Sequence, residues 1–141
     1  MDSASKSFVI LASVDSTNNY AMGPIRDGVA KHGTAWFSHE QTDGKGRRGK
    51  IWKAEKRKNI ILSIAVTPAF LTVYQQFYLS CAVSLACIDF FEKYAGDETK
   101  IKWPNDIFWN DRKAGGILIE NVIKGNAWQW AVIGIGININ Q

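Results

Sequence analysis

Apolar residues along this chain fall into short runs separated by polar clusters, the pattern of a domain built mainly from strands. Phe8-Val9-Ile10-Leu11 is a run of strand type. Asp15-Ser16-Thr17-Asn18 then supplies several helix N-cap candidates ahead of Tyr20, Ala21, Met22 and Ile25, with Pro24 placed either to fit the first turns or to break them. For Ser16 and Thr17 the local pattern favours capping alone. Thr34-Ala35-Trp36-Phe37-Ser38 reads as the next strand and leads through Glu40-Gln41-Thr42 into a basic, glycine-rich segment. Residues 59–66 are continuous and β-branched, as expected of a strand buried on both faces, and Pro68 ends them.

Residues 72–94 carry Phe77, Cys81, Val83, Leu85, Ile88, Phe90 and Phe91 with no internal Gly or Pro. They predict one long helix that packs across the sheet and stops at Gly96. Between 100 and 121 the pattern predicts two or three strands, with Asn110-Asp111-Arg112-Lys113 as a hairpin turn. Gly125-Asn126 predicts another turn, and 127–139 a last strand whose Gly134 and Gly136 let a ligand or another backbone come close. Consecutive hairpins with only two helices predict an α+β fold with a mixed, largely antiparallel sheet, rather than a doubly wound parallel one.

At 141 residues the chain has the length of one domain, and 46% hydrophobic with 21% charged residues excludes disorder and fibrous repeats. The net charge of +4 permits a nucleic-acid or acidic protein partner without requiring one. Its excess is local: Lys45, Arg47, Arg48, Lys50, Lys53, Lys56, Arg57 and Lys58 are opposed in that stretch only by Glu55. Cys81 and Cys87 point to different faces of one helix-like segment and have no His or Cys at ligand spacing, so they read as reduced core residues. With no apolar signal at the start and no bilayer-length apolar run, the expectation is a cytoplasmic protein that does not bind membranes.

Three features carry chemistry. Gly44-Lys45-Gly46-Arg47-Arg48-Gly49-Lys50-Ile51-Trp52 combines glycines, which expose backbone N–H groups, with four cations and an indole. Such a loop suits a small anion and a stacked base. Lys102-Trp103-Pro104-Asn105-Asp106 is a strand end turned by Pro104 so that an amide and a carboxylate stand at the sheet edge. Trp103 and Pro104 themselves read as packing and turn residues. Lys113-Ala114-Gly115-Gly116-Ile117-Leu118 places a cation at a turn beside glycines.

Together with Ser16-Thr17-Asn18, Gln41 and Gly134-Ile135-Gly136-Ile137-Asn138, these segments closely resemble the biotin protein ligases, in the family's order and spacing from about Val14 onward. The resemblance implies a catalytic domain like those of biotin ligases and class II aminoacyl-tRNA synthetases. It also implies a two-step reaction, in which biotin and ATP give biotinyl-5′-adenylate and pyrophosphate, and a lysine of a biotin carboxyl carrier protein then takes the biotinyl group. Lys113 and Arg47 would be catalytic. Ser16, Thr17, Asn18, Gln41, Gly44, Lys45, Gly46, Arg47, Lys113, Gly116, Gly134 and Gly136 would hold biotin. Arg47, Arg48, Lys50, Trp52, Asn105 and Asn138 would hold the nucleotide, and Asp106 would help hold Mg²⁺ or position the incoming lysine. The glycine loop is expected to be mobile without ligand and to order over the adenylate.

Position 45 is Lys where many relatives have Arg, and residues 1–141 read as a catalytic domain incomplete at its C-terminal end, with no second domain. Too few residues precede Ser16 for a helix-turn-helix, so DNA binding is not expected; pairing into a homodimer through an edge strand is compatible with the resemblance. The alternatives are a lipoate ligase or octanoyltransferase, a truncated module that binds biotin without transferring it, and a nucleic-acid-binding domain using Trp36, Trp52 and Trp109. The last is disfavoured because its aromatics and cations do not interleave along one face.

Overall fold

A computed structural model describes residues 7–103 and 105–139; Pro104 and the turn expected of it lie outside the described residues. In chain order the elements are β1 (Phe8–Leu11), α1 (Thr17–Arg26), β2 (Ala35–Ser38), β3 (Asn59–Val66), α2 (Gln76–Ala95), β4 (Thr99–Lys102), β5 (Asp106–Trp109), β6 (Arg112–Lys124) and β7 (Ala127–Asn138). The strands form one seven-stranded sheet in the order β1-β2-β3-β7-β6-β5-β4. Its one parallel pair is β1 with β2, and the other neighbours run antiparallel. This is the mixed, largely antiparallel α+β architecture expected from the consecutive hairpins.

Local chemistry accounts for the element ends. Ser16, with extended backbone (φ −153°, ψ 134°), caps α1 by accepting the Asn19 N–H. Pro24 falls late in α1 and does not break it. Thr72 and Gln75 form a reciprocal capping box over a single 3-10 turn before α2, and Gly96, at φ 80°, ends that helix as expected.

Each helix covers one face of the sheet. On one face Ala21 of α1 meets Trp36, Ala65 and Val132, with Met22 and Ile25 beside them. On the other, Cys87 of α2 meets Ile107, Ala114 and Ile117, flanked by Val83, Phe91 and Ile135. The long helix therefore sits over the β5–β6 side rather than across the whole sheet, and of its residues only Ser84 and Cys87 are fully buried. Burial along β3 alternates, with Asn59, Ile61, Ser63 and Ala65 buried and the residues between them partly exposed. Its expected burial on both faces is thus complete only on the α1 face.

One local expectation is corrected. The hairpin turn is Asn110-Asp111, with Asn110 at φ 53°, and β6 already begins at Arg112, so Lys113 lies in a strand rather than at a turn. Trp103 packs as expected, meeting Phe77 edge to face with ring centroids 5.4 Å apart, while half of it stays exposed.

Candidate functional site

A cavity of about 420 Å³ opens on the α1 face between the start of α1, the loop 41–52, and strands β3, β6 and β7. Its size is that of a small-molecule site. Glycine forms its floor. A Cβ added at Gly136 would come within 2.7 Å of the Trp52 indole, and one at Gly134 within 2.5 Å of the Asn18 side chain. Only a bare backbone lets those side chains lie on the sheet there.

One end of the cavity is neutral and polar. The Gln41 Oε1 accepts from the Thr17 N–H at 2.8 Å and from its hydroxyl at 3.2 Å, which leaves the Gln41 N–H₂ as the group it can offer. Ser63 donates to Asn18 Oδ1 at 2.5 Å and stands 2.7 Å from the Thr17 hydroxyl, while Asn18 Nδ2 donates to Leu118 O at 3.2 Å. Ser16, Thr17 and Asn18 are all at least nine-tenths buried. Capping by Ser16 and participation in this end of the cavity are therefore compatible. Just outside, Asp15 accepts from the Ser16 N–H at 2.7 Å and from the Asn19 amide, and these two bonds hold its carboxyl below its ordinary range.

The other end is cationic. The glycine segment folds as a small hairpin: Trp52 N–H donates to Gly44 O at 2.9 Å, Gly46 N–H donates to Lys50 O at 2.7 Å, and Arg47–Gly49 turn the tip with Arg48 at φ 56°. Arg47, Arg48 and Lys50 line the cavity from this hairpin, and Lys113 lines it from β6, against the carboxylate of Asp106; Lys45 also lines it but is paired with Glu120 behind the lining. Such a balance favours an anion in low-dielectric surroundings. Arg47 Nη1 reaches across to Asn105 Oδ1 at 3.3 Å, and Asn105 Nδ2 is fixed on Ile117 O at 2.9 Å.

Lys113 faces the cavity because of a β-bulge. Ile107 pairs with Gly115 but Phe108 pairs with Lys113, so Ala114 is the extra residue of β6. Ala114 packs with the α2 cluster, and the side-chain alternation is reset so that Lys113 turns to the cavity face. Its ammonium is 3.1 Å from Asp106 Oδ1 and 5.5 Å from the Trp52 ring centroid. Among the described residues no three His, Cys, Asp or Glu stand close enough to hold a metal, and Asp106 is already engaged by Lys113. The described residues therefore build no metal site of their own, and Asp106 could meet a Mg²⁺ only together with the phosphates of a nucleotide.

The structure thus brings together Ser16, Thr17, Asn18, Gln41, Lys45, Gly46, Arg47, Arg48, Lys50, Trp52, Asn105, Asp106, Lys113, Gly116, Gly134 and Gly136 around one cavity. Gly44 and Asn138 fall outside the lining. Gly44 supports the hairpin base from beneath, where a Cβ would strike the Trp52 carbonyl. Asn138 sits behind Lys113 and donates to its carbonyl at 3.4 Å. Both the Trp52 Nε1–H and Asn138 Oδ1 are buried without a partner among the described residues, the first in the cavity lining and the second behind Lys113. Sequence reasoning missed the apolar wall of Ile51, Ile61 and Leu118, and it missed Ser63 and Glu120. Ser63 carried a signal: a lone hydroxyl inside the apolar run 59–66. Glu120 carried none.

The chain is similar to known proteins along almost its whole length. The model of the biotin/lipoate A/B protein ligase family matches residues 10–138. The bifunctional ligase/repressor BirA of Escherichia coli is 34% identical over 137 residues, covering 94% of this chain and 40% of that protein. The biotin–[acetyl-CoA-carboxylase] ligase of Mycobacterium tuberculosis is 33% identical over 135 residues, covering 94% and 49% respectively. Among solved structures, the biotin protein ligase of Leishmania major in complex with biotinyl-5-AMP superposes with a TM-score of 0.79 at 28% identity, covering 95% of this chain and 57% of the other. The biotin protein ligase of Aquifex aeolicus in complex with biotin and ATP gives 0.76 at 27%, covering 95% and 53%. The chain spans about half the length of these relatives, and by the match over residues 10–138 it belongs to the biotin/lipoate A/B protein ligase family.

Proposed function

We propose that the protein activates biotin with ATP to biotinyl-5′-adenylate and transfers the biotinyl group to a lysine of a biotin carboxyl carrier protein. One observation carries this reading: a single cavity has a neutral polar end, an apolar wall and a cationic end, in that order. Biotin has the same order, with a ureido ring, an aliphatic chain and a carboxylate. Ser16, Thr17 and Gln41 would meet the ring, Ile61 and Leu118 the chain, and Arg47 and Lys113 the carboxylate.

In the first step a biotin carboxylate oxygen forms a bond to the α-phosphorus of ATP and the bond to pyrophosphate breaks. Two anions must approach each other and charge builds on the phosphoryl oxygens, so cations held in place beforehand stabilise the transition state more than the separated substrates. Lys113 is the residue assigned that task. Its Asp106 partner orients the ammonium and yields as the phosphate arrives. Trp52 would cover the adenine, Arg48 and Lys50 the phosphates, and Asn105 would fix Arg47 while the hairpin tip closes. Any Mg²⁺ enters on the nucleotide as part of the substrate. In the second step the carrier's lysine amine attacks the acyl carbon, AMP leaves, and the amine loses a proton.

The test is pyrophosphate release from protein, biotin and ATP, with lipoate as the control. Release with biotin alone supports the reading. Heat of biotin binding without release would leave a biotin-binding module and remove the ligase reaction, and release with lipoate would move the assignment to the lipoate branch of the family. Lys113→Ala is expected to cut adenylate formation by about 10²-fold or more, on the scale of one lost electrostatic stabiliser. An unchanged rate in this variant would end the catalytic assignment.

A further inference from the structure

Behind the cavity, outside its lining, Glu120 joins three segments from distant parts of the chain. It stands on β6 opposite Val132, with its side chain 29% exposed. One carboxylate oxygen lies 3.1 Å from Lys45 Nζ, and the other accepts from Asn18 Nδ2 at 3.0 Å. The same Lys45 ammonium donates to Asn19 Oδ1 at 2.7 Å. One carboxylate therefore ties the base of the glycine hairpin to the first turn of α1 and to the sheet.

The tip is held differently. Its bond to the opposite wall is the longer one from Arg47 to Asn105, at 3.3 Å, between exposed groups. Lys45 and Ile51 close the hairpin by a lone antiparallel bridge, so what fixes Lys45 fixes both legs of the base. Closing a loop over a ligand costs backbone entropy for every residue that was free beforehand. A pinned base confines that cost to the tip.

We propose that Glu120 is a positioning residue, which holds Lys45 so that only residues 46–50 move when the hairpin closes over ligand. The role in catalysis rests on the cavity being the adenylate site, whereas the tether itself is a property of the ligand-free chain. This separation lets the two be tested apart.

The experiment compares the chain with Glu120→Gln, Lys45→Met, Lys45→Arg and the double variant E120Q/K45M. Glutamine keeps an acceptor for Asn18 and removes only the charge. Hydrogen exchange of ligand-free protein is expected to show the amides of residues 44–46 and 50–52 opening about threefold faster in E120Q, the effect of one partly exposed ion pair. The strands should be unchanged. High salt should do the same to the parent chain and nothing further to E120Q. In exchange K45R should match the parent, and the double variant should be no worse than either single one. In turnover, E120Q should raise the KM for biotin and speed adenylate loss, with the saturated rate of adenylate formation unchanged. Equal exchange in E120Q and the parent overturns the tether, as does additivity in the double variant. A parent chain that releases no pyrophosphate overturns the ligase reading and leaves the exchange result to decide the tether.

Discussion

Lys113 owes its position to a neighbour that never touches the cavity. The bulge at Ala114 turns the ammonium toward Asp106; in unbroken alternation Lys113 would share the α2 face with Gly115 and Ile117. The two thiols are governed by depth. Burial pushes Cys87 up to about 11, while Cys81 is only partly covered, and neither is in a disulfide. At neutral pH a maleimide should therefore modify Cys81 and spare Cys87 in the folded chain; mass mapping that finds Cys87 labelled first would contradict this depth order. Glycine matters where it is displaced only by force. Gly136→Ala puts a methyl group against the rigid Trp52 ring, and it is expected to raise the KM for ATP several-fold while biotin binding falls less. Parallel measurement of both constants checks it, and a larger effect on biotin would move Trp52 from the nucleotide to the biotin.

At the scale of elements, the start of α1 serves two purposes at once. Ser16 caps the helix, and Thr17 anchors Gln41. Ser16→Ala is expected to lower stability by about 1 kcal/mol through the lost cap, as read by urea denaturation; an unchanged midpoint would show that the cap bond at 3.3 Å contributes nothing. Strand and helix identities were legible from the chain because periodicity and end signals are local. The runs 8–11 and 59–66 are the strands observed, and Gly96 ends α2. The bulge at Ala114 was not legible, since it arises from how β5 and β6 register against each other. Nor was the position of α2. Its apolar residues lie around most of its surface, with Leu85 and Tyr94 59% and 79% exposed, so the sequence did not single out one buried face.

On the scale of the whole molecule, two apolar clusters on opposite faces share one sheet, and β6 and β7 join them through a long hairpin. Ile107, only 1% exposed, lies in the α2 cluster, away from the cavity. Ile107→Ala is expected to cost roughly 2–5 kcal/mol in one cooperative transition shared by circular dichroism and tryptophan fluorescence. Two separated transitions would mean that the faces unfold independently. Most of the site residues were legible as types, because glycine, cation and amide clusters are unusual in a core. Their mutual arrangement was not, and neither was Glu120, an acid in a strand with nothing distinctive around it.

The chain alone determined its elements, its fold class and the chemical character of the segments that line the cavity, since propensity, capping and alternation act over a few residues. Only the tertiary structure decided that Lys113 faces the hairpin, that Gly44 and Asn138 stand behind the cavity wall, and that Glu120 ties Lys45 to Asn18. These are contacts between residues far apart in the chain. They depend on strand order and register, which no local pattern encodes.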